Sequence, residues 1–200
     1  LVFDFDLTNY LLLITYYQTK VFSYQVDENL KLVLPLPQHA EEIAAAVREN
    51  LAHLQMWMPW ATDDYSVESA LEYIKRTLKE FGETGTFGLS VVLSGKFVGA
   101  LGFHNLDSNN KSAHVGYWLT KEAQGKGLMT RCTRILIDYL FDELNLNRVQ
   151  INCNVENTKS RAIPERLGFQ LEGIHRQVEF RANKFGDWAI YAMLKEDWKK

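Results

Sequence analysis

Cysteine is nearly absent from this chain, with only Cys132 and Cys153 in 200 residues. They stand too far apart for a C-x-x-C pair and lack the ligand spacing of a zinc site. The sequence therefore predicts no metal and a reduced, cytoplasmic protein. A basic excess is missing too: the net charge is -3 and the isoelectric point about 6.0. That argues against nucleic acid as the main partner and leaves room only for a local basic patch. The apolar run Leu11 to Ile14 is far too short to cross a bilayer. Asp4 and Asp6 precede it and no small-residue cleavage site closes it, so neither a membrane segment nor a signal peptide is expected. Repeats and low-complexity tracts are lacking as well.

What remains, 46% apolar and 24% charged residues, suits one soluble globular domain with a core of its own. Residues 1–20 read either as an added β-rich segment or as an extension ahead of a domain spanning 21–200; the extension is the reading adopted. From Leu30 the patterns alternate. LKLVLPLP (30–37) reads as a strand ended by prolines. Residues 39–54 read as a helix with Ile43, Val47, Leu51 and Leu54 on one stripe. A second helix over 67–81, with Thr62, Asp63 and Ser66 as cap candidates, is predicted to stop near Gly82. Three strands follow at 86–93, 96–106 and 112–120, the first two joined by a tight turn at Ser94-Gly95.

Directly after the third strand comes QGKGLM (124–129), and behind it a helix with Leu128, Cys132, Ile135, Leu136, Tyr139, Leu140 and Leu144 at helical spacing. RVQINCNV (148–155) alternates strictly and predicts a strand. SRAIPERLG (160–168) predicts a short helix after Asn157, with Pro164 tolerated near its first turn. Two strands around the turn 181–186 complete the chain.

A strand, a pair of glycines and a helix start together make an anion site, because the first-turn N–H groups are unpaired and the helix dipole favours negative charge there. Lys126 adds a cation. Two nucleotide cradles fail the test. A Walker loop would need Gly at Thr120 and Ser or Thr after Lys126, and a dinucleotide turn would need a glycine at Thr130. A glycine-rich turn with no ligand stays open at this point.

A second block downstream carries Asn157 and Ser160 at a helix start, then Gly168-Phe169. With Gln124 and Gly127 before them, these residues resemble the GNAT superfamily of N-acetyltransferases, in particular its ribosomal-protein N-acetyltransferase branch. The resemblance covers about residues 22–198. It implies an α/β (α+β) GNAT fold: a mixed, mostly antiparallel sheet with a splayed parallel strand pair and helices on both faces. It implies acetyl-CoA as co-substrate, its pyrophosphate on Gln124, Gly125, Lys126, Gly127, Leu128, Met129 and Thr130. Its pantetheine arm would lie along the backbone of Trp118, Leu119 and Thr120, and on Asn157 and Ser160. Met129 departs from the Gly or Ala most often found there, though its N–H can still face a phosphate. The acceptor implied is the N-terminal α-amine of a ribosomal or other protein, through a transient contact. A small amine such as a polyamine, antibiotic or amino acid is the alternative, and a non-catalytic acetyl-CoA sensor is a third reading. A homodimer is compatible with the resemblance.

Amide formation from a thioester needs a proton acceptor for the amine, a donor for the oxyanion and an acid for the thiolate. By resemblance Glu179 is the base and Ser160 the acid. Val178 and Phe180 beside Glu179 suggest an apolar setting that would raise its pKa. Each residue also has a plain reading: Glu179 as a solvent-facing strand carboxylate, Ser160 as a helix-start hydrogen bonder, and Cys153 as core. His104 and His114 read as ordinary polar residues at strand edges, and Glu41, Glu42, Asp63 and Asp64 as solvated helix starts. Residues 57–60, Trp-Met-Pro-Trp, are equally core or a wall of the acceptor groove.

Overall fold

The computed structural model describes residues 23–198 apart from Ala182. The proposed extension at 1–20 and the domain start at 21 lie outside the described residues. Eight strands form one sheet in the order β1-β2-β3-β4-β5-β6-β8-β7. They are β1 Ser23–Gln25, β2 Leu30–Val33, β3 Gly88–Leu93, β4 Lys96–Asp107, β5 Ser112–Leu119, β6 Arg148–Asn154, β7 Gln170–Arg181 and β8 Lys184–Leu194. The helices are α1 Ala40–Glu49, α2 Leu51–Leu54, α3 Val67–Thr84, α4 Leu128–Asp142, α5 Thr158–Arg166 and α6 Lys195–Trp198. Every strand pairing is antiparallel except β5 with β6, the only parallel pair among the described strands. This is the mixed, mostly antiparallel sheet that the family resemblance implied.

Two apolar clusters flank the sheet. The larger gathers α4 and α5 against Leu101, Phe103, Val115, Val149, Ile151 and Tyr191. The smaller packs α1, α2 and α3 around Phe97. A bulge explains why Phe97 parts company with Leu101: Phe97 faces Val92 while Gly99 faces Val91, so the extra residue reverses the side-chain alternation. Gly99 is required there, because its φ is 154° and a Cβ would run into the carbonyl of Trp118. The amide of Phe97, at the bulge, donates to Glu42 Oε1 at 2.7 Å, so Glu42 is not the merely solvated helix start its position suggested.

Several boundaries move for physical reasons. The helix expected over 39–54 breaks at Asn50, whose side chain donates to Ala46 O at 2.9 Å and accepts from the amide of Lys121 at 2.7 Å. α3 runs through Gly82 and stops at Gly85, which takes the left-handed φ of 77° that terminates a helix well. Of its cap candidates only Ser66 serves, accepting from Ser69 N. β2 ends at Val33, with Pro37 opening a short 3-10 turn instead. On α4 the buried stripe is wider than the spacing indicated: Met129, Ile137 and Phe141 are buried, while Ile135 and Tyr139 are only partly so, and Leu144 lies beyond the helix end at Asp142.

Candidate active site

β5 and β6 part company after three pairs. Ser112, Ala113 and His114 face Arg148, Val149 and Gln150, and no pairing follows beyond His114. The remainder of β5 keeps its antiparallel partner β4 as far as Gly99 opposite Leu119. Trp118 turns its carbonyl to Gly99, and Thr120 N donates to Val98 O at 2.8 Å. By strand alternation the backbone groups of Leu119 and Tyr117 then face the opening toward β6, while those of Trp118 face β4. Of Trp118, Leu119 and Thr120, the three residues expected to lie along the pantetheine, Leu119 alone turns its backbone groups to the gap.

At the end of this opening the chain makes its glycine turn. Gly125 and Gly127 both hold left-handed φ values, 75° and 68°. A Cβ at Gly125 would meet nothing within 4 Å, so the mouth of the turn is open. Gly127 is the N-cap of α4 and no side chain caps it, so the first-turn amides have no side-chain acceptor. The side chains of Leu128 and Met129 are buried, leaving their backbone N–H groups as what they can present. Gln124 is held from three sides: its amide reaches Leu119 O and the His53 ring, and Lys159 Nζ donates to Gln124 Oε1 at 3.1 Å. Burial pushes the His53 pKa down, and Lys159 and Lys121 push it further. An uncapped helix start, open glycines and neighbouring lysines fit a pyrophosphate.

Asn157 caps α5 by accepting from Ser160 N at 3.1 Å. Ser160 is therefore not the cap, and its Oγ sits 3.2 Å from Cys153 Sγ at the lip of the gap. Pro164 lies deep in α5 rather than in its first turn. A proline there cannot donate to the carbonyl four residues back, Ser160 O, and the hydroxyl of Tyr117 donates to it instead at 3.0 Å. A helix defect thereby ties β5 to α5 across the opening. Burial raises the Tyr117 pKa well above its ordinary value and pushes the Cys153 thiol up as well, so both stay protonated. Cys153 is 4% exposed and neutral, a core thiol that also lines the site.

A cleft of about 600 Å³ begins here. Asn157, Ser160, Cys153 and Glu179 line one end, Trp57, Trp60 and Trp118 a wall, and Glu72, Arg76 and Glu80 of α3 the far side. Trp57, Met58 and Trp60 thus contribute wall, Met58 also packing on the smaller core, with Trp60 tilted against Trp118 at 5.6 Å and still 41% exposed. His104 lines the cleft and packs on His114 at 5.7 Å, where burial lowers both pKa values.

The model of the acetyltransferase (GNAT) domain matches residues 29–170. The chain belongs to the GNAT acetyltransferases. It is 35% identical to the putative ribosomal N-acetyltransferase YdaF of Bacillus subtilis over 180 residues, 90% of this chain and 98% of that one. Among solved structures it resembles RimL, a ribosomal L7/L12 alpha-N-protein acetyltransferase in complex with coenzyme A. The TM-score is 0.82 at 26% identity, covering 86% of this chain and 97% of the other. It also resembles the microcin C7 self-immunity acetyltransferase MccE in complex with acetyl-CoA and AMP, with a TM-score of 0.81 at 28% identity, covering 84% and 94%. The protein is thus an acetyl-CoA-dependent N-acetyltransferase. Among the described residues no His, Cys, Asp and Glu cluster could hold a metal ion, and no helix is long and apolar enough to cross a membrane.

In this GNAT site Glu179 is turned inward. Its neighbours Val178 and Phe180, 47% and 63% exposed, occupy the solvent side, so the apolar setting expected around the carboxylate is on the wrong face. Asn154 Nδ2 donates to Glu179 Oε2 at 2.9 Å, and Arg181 Nη2 lies 3.3 Å from the same oxygen. Asn154 Oδ1 accepts from Glu156 N, which fixes the amide so that its NH2 meets the carboxylate. A Cβ on Gly186 would come within 2.8 Å of Asn154 Nδ2, so glycine makes room for this contact. Sequence reasoning missed Asn154, Arg181 and Tyr117. Asn154 had a signal, lying on the polar face of the alternating strand with Gln150 and Asn152; Arg181 shares the face of Glu179 two residues on.

Proposed function

We propose that the protein acetylates the N-terminal α-amine of a protein, a ribosomal protein being the acceptor class that the names of its relatives suggest. The observation that carries the reading is the length of the cleft. From Ser69 to Glu80 it follows α3 for roughly 16 Å at 1.5 Å per residue. That is room for about five residues of extended chain, far more than a small amine needs. An α-amine, with pKa about 7.7–8.0, also yields its proton far more readily than a lysine near about 10.4.

The roles follow from the contacts. Glu179 receives the amine proton on Oε1, because both of its described contacts fall on Oε2. The Leu119 backbone N–H, facing the gap, donates to the carbonyl oxygen on which charge develops. Ser160 Oγ supplies a proton to the leaving sulfur; Tyr117 is less suited, since its hydroxyl proton is committed to Ser160 O. Gln124, Gly125, Lys126, Gly127 and the first-turn amides of Leu128, Met129 and Thr130 would hold the pyrophosphate, with Leu119 and Asn157 bonding the pantetheine and Trp118 and Thr120 only flanking it. Acetyl-CoA supplies the activated acyl group. We place the reaction in the cytoplasm.

Acceptor profiling tests the reading. Lysine-free peptides with free N-termini should be acetylated with higher kcat/KM than spermidine, amino acids or aminoglycosides. A preference for a small amine would move the assignment to that class, and binding of acetyl-CoA without turnover on any acceptor would favour a sensor.

A further inference from the structure

Arg181 has no place in the mechanism above, yet it is the most constrained cation near the base. Its guanidinium lies over the Trp57 ring at 5.3 Å and its Nη2 meets Glu179 Oε2 at 3.3 Å. The side chains of Glu179 and Arg181 share one face of β7, being two residues apart. Their phase is set by a bulge: His175 faces Trp188 but Glu179 faces Gly186, with Gln177 at a φ of 53° and its amide donating to Asp187 Oδ1 at 2.8 Å. Arg181 Nη1 is buried and has no hydrogen-bond partner among the described residues. A guanidinium recruited only to brace a hairpin would be expected to satisfy its donors, since a buried donor left unmade is costly. This one is held between the Trp57 ring and the Glu179 carboxylate, both of which line the cleft.

We propose that Arg181 is a positioning residue for acetyl transfer: it pins Oε2 of Glu179 and ties it to Trp57, leaving Oε1 aimed at the acceptor amine. The inference rests on Glu179 being the base. Asn154 alone would leave the carboxylate free to swing about a single hydrogen bond. Two contacts on one oxygen from different directions fix the plane of the carboxylate. The stack on Trp57 then couples the base to the segment that walls the acceptor end, so an acceptor that orders this wall also orders the base.

Steady-state kinetics on acetyl-CoA and a short lysine-free peptide with a free N-terminal serine tests this, with thermal midpoints confirming that each variant folds. Arg181→Met should lower kcat by about 10- to 100-fold, as loss of alignment does, with the KM for acetyl-CoA unchanged. Arg181→Lys should recover part of it, keeping charge without the planar fork. Trp57→Phe, a milder change, should lower kcat less and in the same pattern. In a Glu179→Gln background Arg181→Met should cost nothing further, because it acts through the missing carboxylate. If its full cost persists in that background, or falls on the KM for acetyl-CoA, the positioning role is overturned while Glu179 stands. If Glu179→Gln itself keeps wild-type turnover, the base assignment fails first and this role with it.

Discussion

Glu179 turns inward because the hairpin bulge sets the phase of β7, not because its neighbours are apolar. Val178 and Phe180 lie beside it in the chain and on the opposite face in space. Replacing Glu179 with Gln keeps the Asn154 contact geometry nearly intact and removes the proton acceptor. We expect kcat to fall by about 10²- to 10⁴-fold while the KM for acetyl-CoA holds, read by thiol release. The candidate site residues could be named ahead of the structure; their orientation could not. Glu179, Ser160 and Asn157 could be named from the family resemblance, but the contacts that hold Glu179 and Ser160 come from Asn154, Arg181 and Tyr117. Arg181 lies two positions from Glu179 and on its strand face, but Asn154 and Tyr117 lie 25 and 43 positions from the residues they touch, and strand alternation marks a polar face without marking its partner. Pro164 illustrates the difficulty. Placed by sequence at the start of its helix, it sits in the interior, where the hydrogen bond it forfeits becomes the anchor for Tyr117.

At the scale of elements, the strands and helices followed apolar periodicity closely, and boundaries shifted where side chains competed for backbone groups. Asn50 ends α1 and in the same stroke receives the Lys121 amide, fixing the approach to the glycine turn. The turn depends on two left-handed residues. Gly127→Val should raise the KM for acetyl-CoA by about tenfold, since strain of about 1–3 kcal/mol at a β-branched residue shifts the first-turn amides. Acceptor preference should not change, which a peptide panel would check. Gly186→Ala acts on the other half of the site. Its Cβ would press on Asn154 Nδ2, so kcat should fall with little change in the KM for acetyl-CoA.

At the scale of the molecule the described residues form a sheet with two apolar clusters, and the candidate opening lies where the one parallel pair among them separates. Ile137, fully buried beneath the sheet on α4, should lose about 2–5 kcal/mol of unfolding free energy on truncation to Ala, measured by urea denaturation, without changing either KM. Acid should destabilise the fold through histidine. His39, His53, His104 and His114 all have pKa values lowered mainly by burial, so the unfolded chain binds protons that the folded one refuses. Stability is then fully present above the unfolded value near about 6.5 and declines as pH falls through it toward the lower folded values. Thermal midpoints between pH 8 and pH 5 should show that decline. Delivery of an α-amine to acetyl-CoA is what we propose for this cleft. Its most direct test is to incubate the enzyme with labelled acetyl-CoA and a peptide bearing both a free N-terminus and an internal lysine, then to locate the label by fragment mass. The account predicts the label on the N-terminal nitrogen and its loss in Glu179→Gln; label on the lysine side chain would contradict it.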